Sequence, residues 1–284
     1  MAVDIQPVAT QPNAFDELIR AVGEKREQPR PWVDVGTYPW SEEDFSSRYV
    51  RRANYQQLYD MQETGDDVED ILGHLKPAAK ARLLDLCAGN GRHAIAMALR
   101  GYKLTGIDIG PGAVSLARDT ARNLGLGIDF RQLDVLHISF EDAFDGAYLS
   151  CAGISDFSPE DARTMLQLVE RALVPGGAFV GEYAEATSAP AQRRAWQFVQ
   201  AESSLFLDVP HLQLDERSFD AQSGAEVERA YVVPTDGRTR AFTRCRQYYT
   251  ESAIRDLLES ARFEVAALAP GSAPGLRRVV AKKT

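Results

Sequence analysis

The chain has 284 residues, 44% of them hydrophobic and 26% charged, and carries a formal net charge of −9. This length suits one large domain or two small ones, and no run approaches the ~18 to 20 apolar residues of a membrane-spanning helix, so no membrane partner is expected. The acidic balance disfavours broad contact with nucleic acid, whose phosphates repel a net anion, and three cysteines without C-x-x-C spacing (Cys87, Cys151, Cys245) argue against a disulfide framework or a thiolate metal site.

The first residues, MAVDIQPVATQPNAFDE, hold no basic cluster followed by an apolar core. Neither a secretory signal nor a presequence is indicated, and a cytoplasmic location is expected. Up to about Pro31 the chain is polar and proline-rich, with a short amphipathic helix expected near Ala14 to Val22; PWVDVGTYPW then reads as an ordered covering segment. From Ser41 the pattern is helical, with Ser41 as N-cap and Glu42, Glu43 and Asp44 in a first turn that favours acids. A second helix runs from Thr64 to Leu75 and stops before Pro77.

Strand and helix then alternate, as in a parallel sheet with crossover helices. ARLLDLC, YKLTGIDI, GIDFRQL, AFDGAYLS and GGAFVGEY read as five strands, with helices GRHAIAMALR, GAVSLARDTARNL and PEDARTMLQLVERAL between them. The rhythm changes to period two in LFLDVPHLQLDERSFD, AEVERAYVVP and RAFTRCRQYYT, an antiparallel insert with SG and DG turn signals. Within it the densest basic stretch, Arg238 to Arg246, fits a strand with one solvated charged face, an anion site being the alternative. ESAIRDLLESA is helical again, and FEVAALA and GLRRVVAKK form a closing pair of strands.

Chemistry concentrates in LLDLCAGNGRHA, where Gly89, Gly91 and Ala94 have the G-x-G-x-x-A spacing of a strand–turn–helix that receives a nucleotide. A dinucleotide would bring a pyrophosphate to this turn, yet Asp85 stands four residues before Gly89, where like charge opposes it. A cationic ligand reverses the sign. S-adenosylmethionine carries an ammonium and a sulfonium and no phosphate, so the acid becomes an attractor, while the glycines let backbone approach the ligand.

These residues resemble the class I S-adenosylmethionine-dependent methyltransferases, over roughly Thr64 to the C-terminus. LDLCAGNGRHAIAMALRGYKLTGIDI is similar to the first two motifs of the family, in the L-D-L-C-x-G-x-G-R-H form of its bacterial small-molecule branch; Ala88 replaces the usual Cys or Gly and stays small. LVPGGAFV resembles the family's turn before the fifth strand, and FEVAALA with RRVVAKK its sixth and reversed seventh strands. The resemblance implies an α/β Rossmann-like seven-stranded sheet with a reversed last strand, an antiparallel β insert and an N-terminal helical lid. It divides the chain into a lid segment at 1–62, a cofactor-binding core at 63–185 and 250–284, and the insert at 186–249.

The family further implies roles. Asp85 would hold the methionyl ammonium, with Ala88, Gly89 and Gly91 as the backbone cradle; Asp108, with Ile109, would take the ribose hydroxyls at the end of the second strand. Asp134 and Val135 match the adenine-binding positions, and Ser150 ends the fourth strand beside the methionyl portion. The two crevice cysteines read as small packed residues, and His93 as a packed or hydrogen-bonded histidine.

The acceptor is expected beyond the fourth and fifth strands, against CAGISDF, Glu182, Tyr183, the aromatic N-terminal segment and the insert, which serves as substrate lid or homodimer interface. Asp156, His211 and Glu182 are candidate bases. Tyr49, with Tyr38, Tyr55 and Tyr183, is a candidate for lining the sulfonium, and Arg51 and Arg52 for meeting a substrate carboxylate. CAGISDF departs from the aromatic residues that relatives often carry there, which alters the acceptor pocket. The expected function is methyl transfer to a small molecule, an amine or amino-acid-derived metabolite, at nitrogen. A cofactor-cleaving or cyclising enzyme that releases methylthioadenosine and a non-catalytic binding module remain as alternatives.

Overall fold

The computed structural model describes residues 61–151, 153–191, 194–204, 206–234 and 239–284, together with residues 20, 31, 32, 47 and 48. The helix expected near Ala14 to Val22, and Tyr38, Tyr49, Arg51, Arg52 and Tyr55, fall outside these residues apart from Arg20. Ser47 and Arg48 are helical, inside the helix expected from Ser41.

Helix α1 (Met61–Leu75) leads into strand β1 (Arg82–Leu86), α2 (Arg92–Leu99), β2 (Lys103–Asp108), α3 (Pro111–Asn123), β3 (Asp129–Gln132) and β4 (Phe144–Leu149). Then come α4 (Pro159–Ala172), β5 (Leu173–Glu185), the strands β6 (Arg194–Ala201), β7 (His211–Asp220), β8 (Ala225–Pro234) and β9 (Arg240–Tyr249), α5 (Glu251–Ser260), β10 (Phe263–Pro270) and β11 (Leu276–Lys283). Local chemistry sets the boundaries. The Ser158 hydroxyl accepts the Asp161 N–H at 3.0 Å and Pro159 opens α4, while Thr250 caps α5 through the Ala253 N–H at 3.2 Å. Along α4, Ala162, Met165, Leu166 and Val169 repeat at helical spacing and are all buried.

β1 is the centre, paired in parallel with β2 and β4, and four of its five residues are buried, as a strand covered on both faces requires. Its alternation divides the interior. Leu84 and Leu86 join the apolar cluster under α4 and α5, whereas Leu83 joins the one under α1, α2 and α3. Asp85 shares the Leu83 face, and that parity brings it to the α2 side of the sheet.

The strands run β3-β2-β1-β4-β5, and β11 then pairs antiparallel with β5 and β10 with β11. The reversed last strand is therefore present. A second path leaves β5 for β9-β8-β7-β6, so the described strands form one continuous sheet of eleven. The cause is the length of β5: its pairing with β4 ends at Gly181, and the vacated edge takes β9 at Ala184↔Tyr248 and Glu185↔Tyr249. The expected Pro-Gly turn before this strand is a bulge inside it, between the pairs Phe144↔Leu173 and Gly146↔Ala178, with Gly176 at φ 76°.

The insert departs from expectation in one strand. Residues 206–210 are irregular, and β7 starts only after Pro210, which cannot donate to a ladder; the extra strand is β6, in RAWQFVQA. Among the described residues no helix is long and apolar enough to cross a membrane.

Candidate functional site

The turn between β1 and α2 is built from left-handed backbone: Cys87, Gly89 and Gly91 have φ of 54°, 55° and 76°. Gly91 is required twice, by its φ and by the Phe130 ring, which a Cβ there would strike. A Cβ on Gly89 would meet nothing within 4 Å, because that position faces the open crevice beyond the strand ends.

Beneath this turn Asp85 is 3% exposed, opposite Tyr148 in the β1–β4 register. Burial pushes its carboxyl up to about 7, tempered first by the neighbouring Tyr148 phenol. The phenol lies outside hydrogen-bond geometry: Asp85 Oδ2 and the Tyr148 hydroxyl are both buried and both lack a hydrogen-bond partner. Two unsatisfied polar atoms side by side in an interior are costly, and a donor such as an ammonium would satisfy both. Tyr148 is a site residue that sequence reading missed, since as a strand aromatic it passes for core and only the register shows its hydroxyl at Asp85.

Asp108, at the end of β2, accepts the Gly89 N–H at Oδ2 and the Gly110 N–H at Oδ1, each at 2.7 Å. Burial raises its carboxyl and these two bonds oppose the rise. It thereby fixes the glycine turn while each oxygen keeps a further lone pair. Asp134 caps the 3₁₀ turn Val135–His137 through the Leu136 N–H at 2.9 Å, and its other oxygen lies 3.2 Å from His137 Nδ1. Val135 is buried at this turn, Ala88 and Ile107 are joined by a backbone bond of 2.8 Å ahead of Ile109, and the Ser150 carbonyl accepts the Gly153 N–H at 3.2 Å.

Cys87 ties these positions together. Its side chain reaches solvent through the crevice, yet its thiol is pushed well up, first by desolvation and then by Asp108, Asp156, Asp85 and Asp134. The charges of four carboxylates, each from a separate strand end, thus act together on this one thiol. Among the described residues no group of three or more His, Cys, Asp or Glu is arranged to hold a metal ion.

The candidates for catalysis divide. Asp156, ending the 3₁₀ turn Gly153–Asp156 after β4, belongs to the converging set: burial raises its carboxyl, opposed by Arg246 and then Arg244 of β9. Its Oδ1 is out of solvent, lacks a hydrogen-bond partner and lies 3.7 Å from Arg246 Nε. Tyr183 instead points to the other face of β5 and stands edge-on to Tyr249, 6.4 Å between centroids, inside the larger apolar cluster. His211 opens β7 at the end remote from β5; the ten residues of β7 carry it ~30 Å along the strand at about 3.3 Å per residue. Its Nδ1 is 2.7 Å from the Val209 carbonyl.

Glu182, a candidate base, is a hub of contacts between elements. It accepts from Cys151 N at 2.9 Å, Ser272 N at 2.7 Å, Ser272 Oγ at 3.0 Å and Arg278 Nη2 at 2.6 Å, and Arg278 also pairs with Asp70 of α1. His93, 6% exposed, lies 3.3 Å from Asp67 Oδ2 and edge-on to Tyr148, so it is packed and partnered.

Residues 83–177 match the family described as "Methyltransferase domain". A ubiquinone biosynthesis O-methyltransferase of Marinobacter nauticus is 31% identical over 101 residues, which cover 35% of this chain and 42% of that one. The chain thus spans less than half the length of this curated relative. Among solved structures, an S-adenosylmethionine-dependent methyltransferase from Clostridium acetobutylicum aligns with TM-score 0.64 at 13% identity, covering 82% of this chain and 98% of that one. CalS10, described as an amino pentose methyltransferase from Micromonospora echinaspora, aligns with TM-score 0.58 at 20% identity, covering 81% and 96%. With the glycine turn, the acid at the end of each of the first two strands and the reversed last strand all in place, the chain has the fold of the class I S-adenosylmethionine-dependent methyltransferases, built around a methyltransferase domain at residues 83–177.

Proposed function

We propose that this protein transfers the methyl group of S-adenosylmethionine to a small-molecule acceptor, at an amine nitrogen. The observation that carries the reading is the buried, unpartnered pair Asp85 Oδ2 and Tyr148 hydroxyl beneath a glycine turn that opens on the crevice. The residues fit this cofactor. Asp85 and Tyr148 receive its ammonium, the open face of Gly89 admits it, and Asp108 offers the remaining lone pairs of both oxygens to the ribose hydroxyls. Asp134 and Val135 border the adenine, with Asp134 contributing only the acceptor capacity its capping role leaves.

Bound there, S-adenosylmethionine supplies an electrophilic methyl carbon on a sulfonium. The chain's own part is to orient an acceptor in line with that carbon and exclude water. Asp156 takes the acceptor's proton: it stands among the cofactor-side carboxylates, keeps one oxygen unpartnered, and its raised carboxyl matches a base better than an ordinary aspartate does. Ser47 packs on Gly112 at the start of α3, with its backbone N 2.7 Å from where a Cβ would be. Tyr49, two residues on, remains the candidate for lining the sulfonium.

Oxygen is the competing acceptor, favoured by the likeness to the O-methyltransferase of Marinobacter nauticus. Methyl-labelled donor offered with matched amines and phenols decides between them: label on nitrogen is expected, and Asp156→Asn should lower kcat by ~10² or more, the scale of a lost general base. Label on oxygen alone overturns the nitrogen reading. Methylthioadenosine formed without any acceptor overturns methyl transfer itself.

A further inference from the structure

The basic stretch Arg238 to Arg246 has a use that a solvated strand face leaves unexplained. β9 places Arg240, Arg244 and Arg246 on one side, together with Phe242, while Thr243 and Cys245 on the other side are buried. Across the sheet Glu228 stands in register with Arg244 and Arg217 and pairs with both, and Glu226 accepts the Tyr248 hydroxyl at 2.9 Å. Arg246 turns instead toward Asp156 on the post-β4 turn.

That encounter is incomplete. Arg246 Nε and Asp156 Oδ1 are 3.7 Å apart, beyond hydrogen-bond distance; both atoms are cut off from solvent and neither has a hydrogen-bond partner. One is a donor and the other an acceptor, on two elements in contact, β9 and the post-β4 turn, and the Asp156 charge is among those that act on the Cys87 thiol. A molecule that offers an acceptor and a donor side by side completes both at once. The guanidinium favours a carboxylate, whose planar geometry matches its fork, and the aspartate favours an N–H.

We propose that Asp156 and Arg246 form the acceptor subsite and that the acceptor is an amino acid in the broad sense, its amine held at Asp156 and its carboxylate at Arg246. The proposal rests on the methyltransferase reading and deepens it. Arg246 is a specificity residue that touches the part of the acceptor that does not react, so its loss acts on binding.

The test is calorimetric and needs no turnover. Protein saturated with S-adenosylhomocysteine is titrated with L-amino acids and aminobenzoates and with the methyl ester of each. At least one acid should bind about tenfold or more tightly than its ester, the scale of a lost charge contact in a shielded site. Arg246→Ala should erase that preference while leaving the ester's affinity and that of S-adenosylhomocysteine within about twofold, the latter showing that the fold is intact. Arg246→Lys should restore part of it. Asp156→Asn should weaken acid and ester alike. Equal binding of every acid and ester by the wild type, or an undiminished preference in Arg246→Ala, overturns the subsite. The two readings fail separately: acid-selective binding without methyl transfer to any acceptor sinks the methyltransferase reading and keeps the subsite, whereas methylation of acids and esters with equal kcat/KM does the reverse.

Discussion

Asp85 loses its water on folding, and the charged state it gives up is the one a cation would stabilise. Its carboxyl titrates near 7 in the folded chain against an ordinary value of 3.8, so between those limits the folded state binds more protons than the unfolded one. Stability from this group is present below 3.8 and lost as pH rises to about 7, by at most ~1.4 kcal/mol per pH unit. The Tm of the ligand-free protein should therefore fall across that window, and Asp85→Asn should flatten the fall. An ammonium beside the carboxylate lowers its pKa again, so binding S-adenosylmethionine at pH 6 should release about one proton. Calorimetry in two buffers of different ionisation enthalpy measures it. No release from the wild type, or equal release from Asp85→Asn, would sink the assignment of this carboxylate; its affinity should drop ~10- to 100-fold in the variant, the worth of a hydrogen bond to a charged group. Gly91 bears a second test. Gly91→Ala meets both a φ of 76° and the Phe130 ring, costing ~1 to 2 kcal/mol for the backbone and ~1 to 3 for the overpacking. Phe130→Leu in the same chain should recover the second share alone, as read by urea unfolding. Asp85, Gly89 and Gly91 were singled out in the sequence because one short motif fixes their spacing, and Asp108 because it ends the strand that follows. Tyr148 and Arg246 were not, because their roles come from partners 63 and 90 positions away in the chain.

The same limit governs the elements. Each core strand from β1 to β4 was legible to within about two residues, since an apolar run bounded by a capped or glycine-ended helix admits little else. The extent of β5 was not, because its ends become strand only through distant partners: Leu173 pairs with Phe144, Ala184 with Leu276 and Tyr248, and Glu185 with Tyr249. β6 was passed over although Trp196 and Phe198 alternate and Ser203 and Ser204 follow it, for what makes it a strand is its pairing with β7, which runs from Arg194↔Ser218 to Ala201↔His211. Glu182 shows what register does to function: read as a base from its place at a strand end, it is occupied by the N–H of Cys151, by Ser272 and by Arg278. It joins the post-β4 turn to the β10–β11 hairpin, and through Arg278 to α1. Glu182→Ala leaves a guanidinium that is 2% exposed with Asp70 as its remaining carboxylate and should cost about 3 kcal/mol in denaturant unfolding. Glu182→Gln keeps acceptors for the N–H groups and should cost clearly less. Should both variants unfold like the wild type while kcat collapses, the residue is catalytic and its structural role is wrong.

At the scale of the whole molecule, one sheet serves two purposes because β5 outlasts β4, carrying the cofactor crevice on its early neighbours and the charged face of the insert on its late ones. The chain's net charge of −9 gives this arrangement a sign, and Asp85, Asp108, Asp134 and Asp156 concentrate it at the crevice. Dinucleotides bring phosphates into that field and should show no binding by calorimetry. S-adenosylmethionine enters with a net charge of +1, whereas S-adenosylhomocysteine, which lacks the sulfonium, is neutral overall. Raising salt shortens the range of these interactions from ~10 Å at 0.1 M to ~3 Å at 1 M. At pH 8, going from 0.05 to 0.5 M NaCl should weaken binding of S-adenosylmethionine by about 3- to 10-fold and that of S-adenosylhomocysteine by less than about twofold. Both ligands share every hydrogen bond to the turn, so only their difference in charge can separate the two slopes. Parallel slopes would mean that the acids around Cys87 shape the crevice without attracting the donor, and the electrostatic basis for its choice of cofactor would be lost.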